Sequence, residues 1–256
     1  MGGLSSLPSA NEAATSAAHG LVVRNVTVRF QALAAISDVS LHVSDREIFG
    51  LIGPNGAGKT TLVNCLTGFQ TPTGGAIYLH GLDTVGWRAD RFRLAGIART
   101  FQAGRLFNNL SVLENVEVTG LGLGLARNAA RAASYELLEW IGIADMASVA
   151  AGALAYTDQR RLSIVRALTV APKFILLDEP AAGMSDAEAD ELVHHIAEIP
   201  DRFGCGVLLI EHNMHVVMSI CHRVQVLDGG KTLAVGTPDE IKRHEGVLAA
   251  YLGMEA

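Results

Sequence analysis

The chain has few groups that could crosslink it or hold a structural metal. Its 256 residues contain 3 cysteines, and these are odd in number and lie far apart, at Cys65, Cys205 and Cys221. Neither a disulfide framework nor a metal-binding spacing fits that pattern. We therefore expect three reduced packing residues in a cytosolic protein.

Long apolar runs are also missing, although 49% of the residues are hydrophobic. A membrane helix needs about 18 consecutive apolar residues, and the chain contains no such run. Residues 1–19 are rich in Ser, Ala and Gly, without the basic start and apolar block of a signal peptide. We expect a disordered tail over 1–19, then a single soluble domain over 20–253 that can lie against a membrane.

Positive charge is scarce as well. The formal net charge is −6, and no basic stretch with interleaved aromatic residues occurs. Because neutralisation of phosphates by Lys and Arg supplies most of the affinity for nucleic acid, this composition argues against nucleic acid as the main partner.

The apolar residues occur in short blocks that alternate with helical patterns. Blocks at 174–177 and 207–210 are typical of strands buried on both faces, and strand–helix alternation predicts a parallel sheet covered by helices. Stretches 26–30 and 39–43 alternate apolar and polar residues, as half-buried antiparallel strands do. The segment 103–170 is rich in Ala and Leu at helical spacing, which predicts an inserted helical subdomain.

A glycine-rich segment carries the strongest chemical signal. It fits the pattern G-x-x-x-x-G-K-[ST] after a predicted buried strand and before a predicted helix. Its glycines let backbone N–H groups turn towards phosphate oxygens, its lysine can reach the terminal phosphates, and its threonine hydroxyl can bind Mg²⁺. The segment consists of Gly53, Pro54, Asn55, Gly56, Ala57, Gly58, Lys59 and Thr60, with Thr61 following.

A second signal follows the apolar strand predicted at 174–178. Asp178 and Glu179 lie at its carboxyl end, where doubly wound sheets bind ligands. Asp178 suits outer-shell contact with Mg²⁺, and Glu179 could orient or deprotonate an attacking water. The predicted fold class is therefore α/β: a P-loop NTPase parallel-sheet core with an N-terminal antiparallel β subdomain and an inserted α-helical subdomain.

From Leu21 to Gly253 the sequence resembles the ATP-binding subunits of ABC transporters. The resemblance implies that Gln102 contacts Mg²⁺ and the attacking water, that His212 contacts the γ-phosphate, and that Phe30 stacks on adenine. It also assigns 181–186 to a loop that lies across the interface of an ATPase dimer. ATP and Mg²⁺ are the implied ligands, with Thr60, Gln102 and Asp178 around the metal.

The family signature, usually L-S-G-G-Q, departs from its pattern here. It reads Leu154, Ala155, Tyr156, Thr157, Asp158, and the resemblance implies that Ala155, Thr157 and Asp158 meet the nucleotide of the opposite subunit. If the backbone at Thr157 requires a positive φ, its β-branched side chain is strained. If φ is negative, Thr157 could cap the following helix. Because this departure weakens one composite site, we expect an asymmetric heterodimer.

Further segments, including 66–69 and 250–253, resemble the branched-chain amino-acid importer subgroup, whose relatives also import urea and other amides. The implied partners are a second ATPase subunit, expected to be a paralogue, two integral-membrane permease subunits and an extracytoplasmic solute-binding protein. The implied location is the cytoplasmic face of the plasma (inner) membrane. Two other interpretations remain: a soluble ABC protein of translation or DNA repair, and a nucleotide-gated subunit with little hydrolysis.

Overall fold

The computed structural model describes residues 19–101 and 105–252. Within these residues, two sheets contain ten strands: β1 Leu21–Phe30, β2 Leu33–Val43, β3 Ile48–Ile52, β4 Gly74–Leu79, β5 Leu82–Asp83, β6 Ile97–Arg99, β7 Phe174–Asp178, β8 Gly206–Ile210, β9 Arg223–Asp228 and β10 Lys231–Gly236. The described α-helices are α1 Lys59–Leu66, α2 Ala89–Ala95, α3 Val112–Gly122, α4 Arg127–Ile141, α5 Tyr156–Leu168, α6 Asp186–Phe203, α7 Met214–Ile220, α8 Pro238–Arg243 and α9 Glu245–Leu252.

The larger sheet has the strand order β10-β9-β3-β8-β7-β6. All its neighbours run parallel except the antiparallel pair of β9 and β10. Because β3, β8, β7 and β6 are adjacent and parallel, the loops that leave their carboxyl ends meet at one edge. That edge carries the glycine-rich segment, His212, Glu179 and the segment leading to Gln102.

The smaller sheet, in the order β2-β1-β4-β5, is antiparallel. Alternate residues of β1 and β2 are fully buried, as the period-2 pattern predicts; among them are Val26, Val28 and Val39. Register shifts along β1 increase its twist. The buried face of this sheet packs against α1 and one face of the parallel sheet.

Helices α3, α4 and α5 lie between β6 and β7 in the chain. Helix α3 begins with a capping box, in which the Ser111 hydroxyl accepts from Glu114 N–H and the Glu114 carboxylate accepts from Ser111 N–H. Helix α4 buries a stripe that includes Ala130, Leu138 and Ile141, and it ends at Gly142 with φ 81°. The three helices pack on the other face of the parallel sheet.

The parallel sheet lies between two apolar layers, and β3 shows how. Ile48 and Ile52 belong to the layer shared with the helices, whereas Phe49 and Leu51 belong to the layer shared with the antiparallel sheet. Burial on both faces explains the unbroken apolar run of this strand. The strand that leads into the glycine-rich segment is therefore held rigidly.

These observations confirm the predicted fold class and several of the predicted elements. The three cysteines are free and buried, as expected, and burial raises the pKa of each thiol to about 12. Strand β6 and helix α2 were not predicted. The tail 1–18 lies outside the described residues, and the domain bounds remain a prediction. Within the described ranges, no helix combines the length and apolarity needed to cross a membrane.

Arg223 links the parallel sheet to the antiparallel one and also forms an ion pair with Glu47, just before β3. Arg223, at the start of β9, donates from Nε to Glu47 Oε1 at 2.7 Å and from a terminal nitrogen to the His42 carbonyl at 2.8 Å. Burial alone would raise the pKa of Glu47, but the bonds from Arg223 and the Ser44 N–H outweigh it and hold that pKa below its usual value. The pair therefore stabilises the fold while Glu47 is ionised.

Changing Arg223 to Gln should cost about 2 kcal/mol of unfolding free energy at pH 7, because a nearly buried carboxylate loses its charged partner. Because the folded-state pKa of Glu47 is depressed, this stabilisation is complete above the unfolded pKa and disappears as the pH falls through the folded one. Urea unfolding should show that the loss of unfolding free energy in Arg223→Gln is smaller near pH 4 than at pH 7. Exposed Arg243→Gln should change neither value by more than about 0.5 kcal/mol, and an Arg223→Gln penalty independent of pH would contradict this interpretation.

Candidate functional site

The glycine-rich segment forms a tight loop between β3 and α1. Gly53, Gly56 and Gly58 have φ values of 144°, 81° and 99°, in the region that L-residues with side chains rarely adopt. A Cβ at Gly53 would lie 2.0 Å from the Leu227 carbonyl oxygen, and one at Gly58 would lie 2.4 Å from Ile36. The loop therefore favours glycine at all three positions for conformation, and requires it at Gly53 and Gly58 for space as well.

Lys59 is the first residue of α1 and is only 7% exposed. Its ammonium donates to the carbonyl oxygens of Gly53 at 2.6 Å and Pro54 at 3.0 Å, so it lies over the loop that precedes it. Burial lowers the pKa of Lys59, and the negative charges of Glu179 and Asp178 oppose that shift. The lysine is a fixed positive charge at a helix N-terminus, the arrangement that binds phosphate.

A cleft of about 450 Å³ opens over this loop. Its volume is within the range of small-molecule binding sites. Thr60, Thr61, Glu179 and His212 all line it. Its lining comprises Leu33, Ala34, Ala35, residues 55–61, Glu179, Ile210, His212, Gly229 and Gly230.

Asp178 is the last residue of β7 and is paired with a cation. Arg99, from β6, donates to Asp178 Oδ2 at 2.8 Å, and the two side chains are 8% and 12% exposed. The Asp178 N–H donates to the Thr100 hydroxyl at 3.1 Å. Sequence reasoning placed the acid but missed Arg99, because the contact exists only once β6 pairs with β7.

Glu179 has a φ of 49°, in the left-handed region that non-glycine residues adopt only when their surroundings enforce it. Its N–H donates to the Ile210 carbonyl at 2.9 Å, which fixes the turn after β7. Its Oε1 lies 2.7 Å from His212 Nε2. The structure therefore brings together Glu179 and His212, two residues that the sequence had singled out separately.

Glu211 is a residue that sequence reasoning missed. Its carboxylate is almost fully buried and accepts N–H bonds from Ala181 at 2.8 Å and His212 at 3.0 Å. Burial raises the pKa of Glu211, and these backbone bonds oppose the shift. Glu211 therefore ties the loop after β7 to the loop after β8. The available sequence signal was an acidic residue directly before His212 at the end of an apolar strand.

The oxygen donors present fit a Mg²⁺ ion. The Thr60 hydroxyl and the Asp178 carboxylate are hard oxygen ligands, and within the described residues no cluster of three or more His, Cys, Asp or Glu side chains could form a protein cage. Mg²⁺ characteristically takes one or two protein ligands together with substrate phosphates and waters. Thr60 and Asp178 are thus suitable for a metal shared with a bound nucleotide.

For two predicted site residues, Phe30 and Gln102, the structure does not show the predicted placement. Phe30 lies at the tip of the β1–β2 hairpin, paired with Leu33, and is 53% exposed. It does not line the cleft, whereas Leu33, Ala34 and Ala35 do. Gln102 lies outside the described residues, so its predicted contacts remain a prediction.

In the structure, Thr157 has neither the strained backbone nor the capping role considered for it. Ala155 is the N-cap of α5, without a side-chain hydrogen bond, and Thr157 is the second residue of the helix. The φ of Thr157 is not positive, which excludes the strained alternative, and because Ala155 is the N-cap, Thr157 does not cap the helix either. Because the first residues of a helix have no intrahelical acceptor for their N–H groups, the amides of 156–158 point out from the end of α5.

Asp158 places a carboxylate in this first turn, where it suits the helix dipole. Its Oδ1 lies 3.6 Å from the Arg161 guanidinium, which also bonds Glu191 of α6 at 2.6 Å. The Tyr156 ring lies beneath the Arg160 guanidinium at 4.8 Å. The exposed end of α5 therefore carries an acidic group beside its free amides.

A phosphate-binding loop after a central strand, a buried lysine at the helix start and two acids at the end of another strand of the same sheet define a nucleoside-triphosphate-binding protein of the P-loop class. Comparisons with known proteins narrow this class. Residues 36–182 match the family model described as ABC transporter. Residues 231–254 match the model described as branched-chain amino acid ATP-binding cassette transporter.

Named relatives agree over nearly the whole chain. The high-affinity branched-chain amino acid transport ATP-binding protein LivG of Salmonella typhimurium is 45% identical, covering 91% of this chain and 97% of LivG. The corresponding protein BraF of Pseudomonas aeruginosa is 41% identical with the same coverage. The ADP conformation of MJ1267, an ATP-binding cassette of an ABC transporter, superposes with a TM-score of 0.84 at 26% identity, covering 92% of this chain and 99% of MJ1267.

The chain belongs to the ABC transporter family, as an ATP-binding subunit that hydrolyses ATP. This assignment confirms the family resemblance seen in the sequence. Because members of this family bind adenine nucleotides, the assignment also indicates that the cleft over the glycine-rich loop binds a nucleotide.

Proposed function

We propose that this chain powers the import of branched-chain amino acids. The observation that carries the proposal is a phosphate loop with a buried lysine in a chain whose residues 231–254 match a model specific to branched-chain amino acid transporters. The names of LivG and BraF support the same solute class. Import of urea or another amide is the alternative solute assignment.

In the proposed reaction, the loop amides and Lys59 bind the terminal phosphates of ATP. Thr60 would hold Mg²⁺, and Asp178 and Gln102 would contact it as well; when bound, the metal would neutralise charge on the phosphate oxygens. Glu179 orients or deprotonates the attacking water, and His212, 2.7 Å from it, contacts the γ-phosphate. Phe30, at the tip of the β1–β2 hairpin, stacks on the adenine ring.

The partners in this proposal are a second ATPase subunit, two membrane permease subunits and an extracytoplasmic solute-binding protein. The complex places this chain at the cytoplasmic face of the inner membrane. In the dimer, the first turn of α5 lies opposite the partner's nucleotide, so its free amides face a phosphate. The carboxylate of Asp158 then lies close to the partner's nucleotide phosphate and weakens that composite site. A paralogous partner with its own signature segment would leave the other composite site strong.

The experiment is co-expression with the membrane proteins encoded beside this gene, followed by transport in proteoliposomes. Radiolabelled leucine should accumulate only with ATP, the matching binding protein and this chain. Uptake of urea in the same vesicles without leucine uptake would support the alternative solute class. Failure of the chain to copurify with any membrane subunit would contradict the importer proposal.

Changing Asp158 to Asn should strengthen ATP-dependent association of the two ATPase subunits by about tenfold, because one like charge facing a phosphate is removed. Thr157→Gly should not strengthen it, since Thr157 already has helical geometry and glycine weakens a helix. Analytical ultracentrifugation with a slowly hydrolysed ATP analogue measures both. Asp239→Asn, in the first turn of α8, controls for the helix dipole, and equal effects at Asp158 and Asp239 would refute the interface interpretation.

A further inference from the structure

Arg99, at the end of β6, is bonded to strand β7 and to helix α1. From the end of β6, one terminal nitrogen donates to Asp178 Oδ2 on β7 at 2.8 Å, and the other donates to Asn64 Oδ1 on α1 at 2.6 Å. Helix α1 begins at Lys59, and Asp178 precedes Glu179 directly. Arg99 therefore touches both the helix that presents the phosphate loop and the strand that presents the acids.

The guanidinium is enclosed by protein. Its carbon lies 4.9 Å from the centre of the Phe101 ring, its side chain is 8% exposed, and its Nε has no hydrogen-bond partner in the described part of the chain. The guanidinium group of arginine carries a delocalised positive charge that suits it to buried ion pairs. A permanent positive charge is thus held against Asp178, where solvent screening is weak.

Arg99 has two separate effects on Asp178. Its hydrogen bond to Oδ2 restricts the rotation of the carboxylate and leaves Oδ1 without a bond to the guanidinium. Its charge offsets that of the acid and repels any second cation nearby. Two cations competing for one carboxylate weaken each other's binding.

We propose that Arg99 is a positioning residue that sets the metal affinity of this site. It orients Asp178 for metal binding and holds that affinity down through its positive charge, so that the metal binds firmly only together with the phosphate oxygens of a nucleotide. This inference rests on the proposed role of Asp178 at Mg²⁺. It predicts that removing the charge of Arg99 while keeping a hydrogen-bond donor tightens metal binding.

The test is the affinity of Mn²⁺, used as a spectroscopic substitute for Mg²⁺, in the presence of saturating ADP. Arg99→Gln keeps an amide donor for Asp178 but removes the charge, and should tighten Mn²⁺ binding by about tenfold, the size expected for one unit charge beside a divalent ion even in a water-like dielectric. Arg99→Lys keeps the charge and should stay within about twofold of the parent protein. Electron paramagnetic resonance of free Mn²⁺ measures this without turnover.

A second variant changes the same charge without altering Arg99. Asn64→Asp is close to isosteric and places a carboxylate against the other terminal nitrogen, so the net local charge falls by one while the bond to Asp178 is kept. It should also tighten Mn²⁺ binding, and it keeps the test decisive if Arg99→Gln does not fold. Arg93→Gln is the matched control: Arg93 bonds the Thr169 carbonyl at 2.6 Å instead of an acid, so its loss should leave Mn²⁺ affinity unchanged.

The outcomes separate this inference from the proposed function. A parent protein that binds ADP without any Mn²⁺ would contradict the assignment of Asp178 and Thr60 to the metal. A parent that binds Mn²⁺ with ADP, combined with unchanged or weaker binding in both Arg99→Gln and Asn64→Asp, would overturn only the role of Arg99. Weakening in Arg99→Lys as large as in Arg99→Gln would show that Arg99 merely supports the local structure.

Discussion

Changing Lys59 to Ala should weaken the binding of Mg-ATP by a factor of at least about 100. The ammonium is nearly buried and held over the phosphate loop by two carbonyl oxygens, so it is already placed where terminal phosphates would bind. Each charge-assisted hydrogen bond contributes about 1.5–3 kcal/mol, and 1.4 kcal/mol corresponds to a tenfold change in affinity. Two such bonds to phosphate therefore account for the expected loss.

Isothermal titration calorimetry with an ATP analogue and Mg²⁺ measures this effect at neutral pH. Circular dichroism should show an unchanged fold, because the loop conformation is set by its glycines and not by the lysine. Lys242→Ala, on exposed α8, removes one positive charge away from the cleft and should bind as the parent does. Full affinity in Lys59→Ala would refute the phosphate-loop interpretation, and with it the assignment of the cleft.

The parts of the site that local sequence specifies were predictable. The loop from Gly53 to Thr60 needs glycines where φ is positive and a lysine at the start of a helix, and both requirements appear as a fixed spacing. The pair Asp178 and Glu179 was predictable because an unbroken apolar strand ends directly before it. In each case, residues that are neighbours in the chain form one structural unit. Their pattern can therefore be recognised from the sequence without knowledge of the fold.

Contacts between distant elements were not predictable in the same way. Arg99 meets Asp178 across 79 positions of the chain, and only the pairing of β6 with β7 brings them together. Strand β6 has three residues, too few for an alternation pattern to be recognised. Glu211 escaped notice for a related reason, since its role depends on an N–H from the loop after β7.

The signature segment shows a different limit of sequence reasoning. Thr157 attracted attention because it replaces an expected glycine, but α5 starts earlier than predicted, and Thr157 is an ordinary helical residue. The start of a helix is uncertain by one or two residues even when the helix itself is clear. Because the predicted helix start was off by this much, attention fell on Thr157. The structure instead places the charge of Asp158 beside the free amides.

The charged groups of the site are each held by a partner from within the chain. Lys59 is bonded to loop carbonyls, Asp178 to Arg99, and Glu179 to His212. Such pairing limits the cost of keeping charges in a poorly solvated cleft. It also fixes their positions before any ligand binds, which reduces the reorganisation that binding and hydrolysis require.

Changing Glu179 to Gln should lower steady-state ATP hydrolysis by a factor of about 10²–10⁴, the contribution of a positioned general base, while leaving ATP binding nearly intact. Glutamine has the same shape but cannot accept a proton from water. The left-handed turn at Glu179 is fixed by its N–H bond to Ile210, which the substitution keeps. The fold and the phosphate loop should therefore be unaffected.

Phosphate release by the assembled complex and nucleotide titration of the same sample measure the two quantities together. Glu136→Gln, an exposed acid on α4, should change neither. Because the expected result separates binding from turnover, it also distinguishes an active ATPase from a nucleotide-gated subunit. Turnover that persists in Glu179→Gln would show that another residue activates the water, whereas a parent complex that binds ATP tightly and hydrolyses almost none would favour the nucleotide-gated alternative.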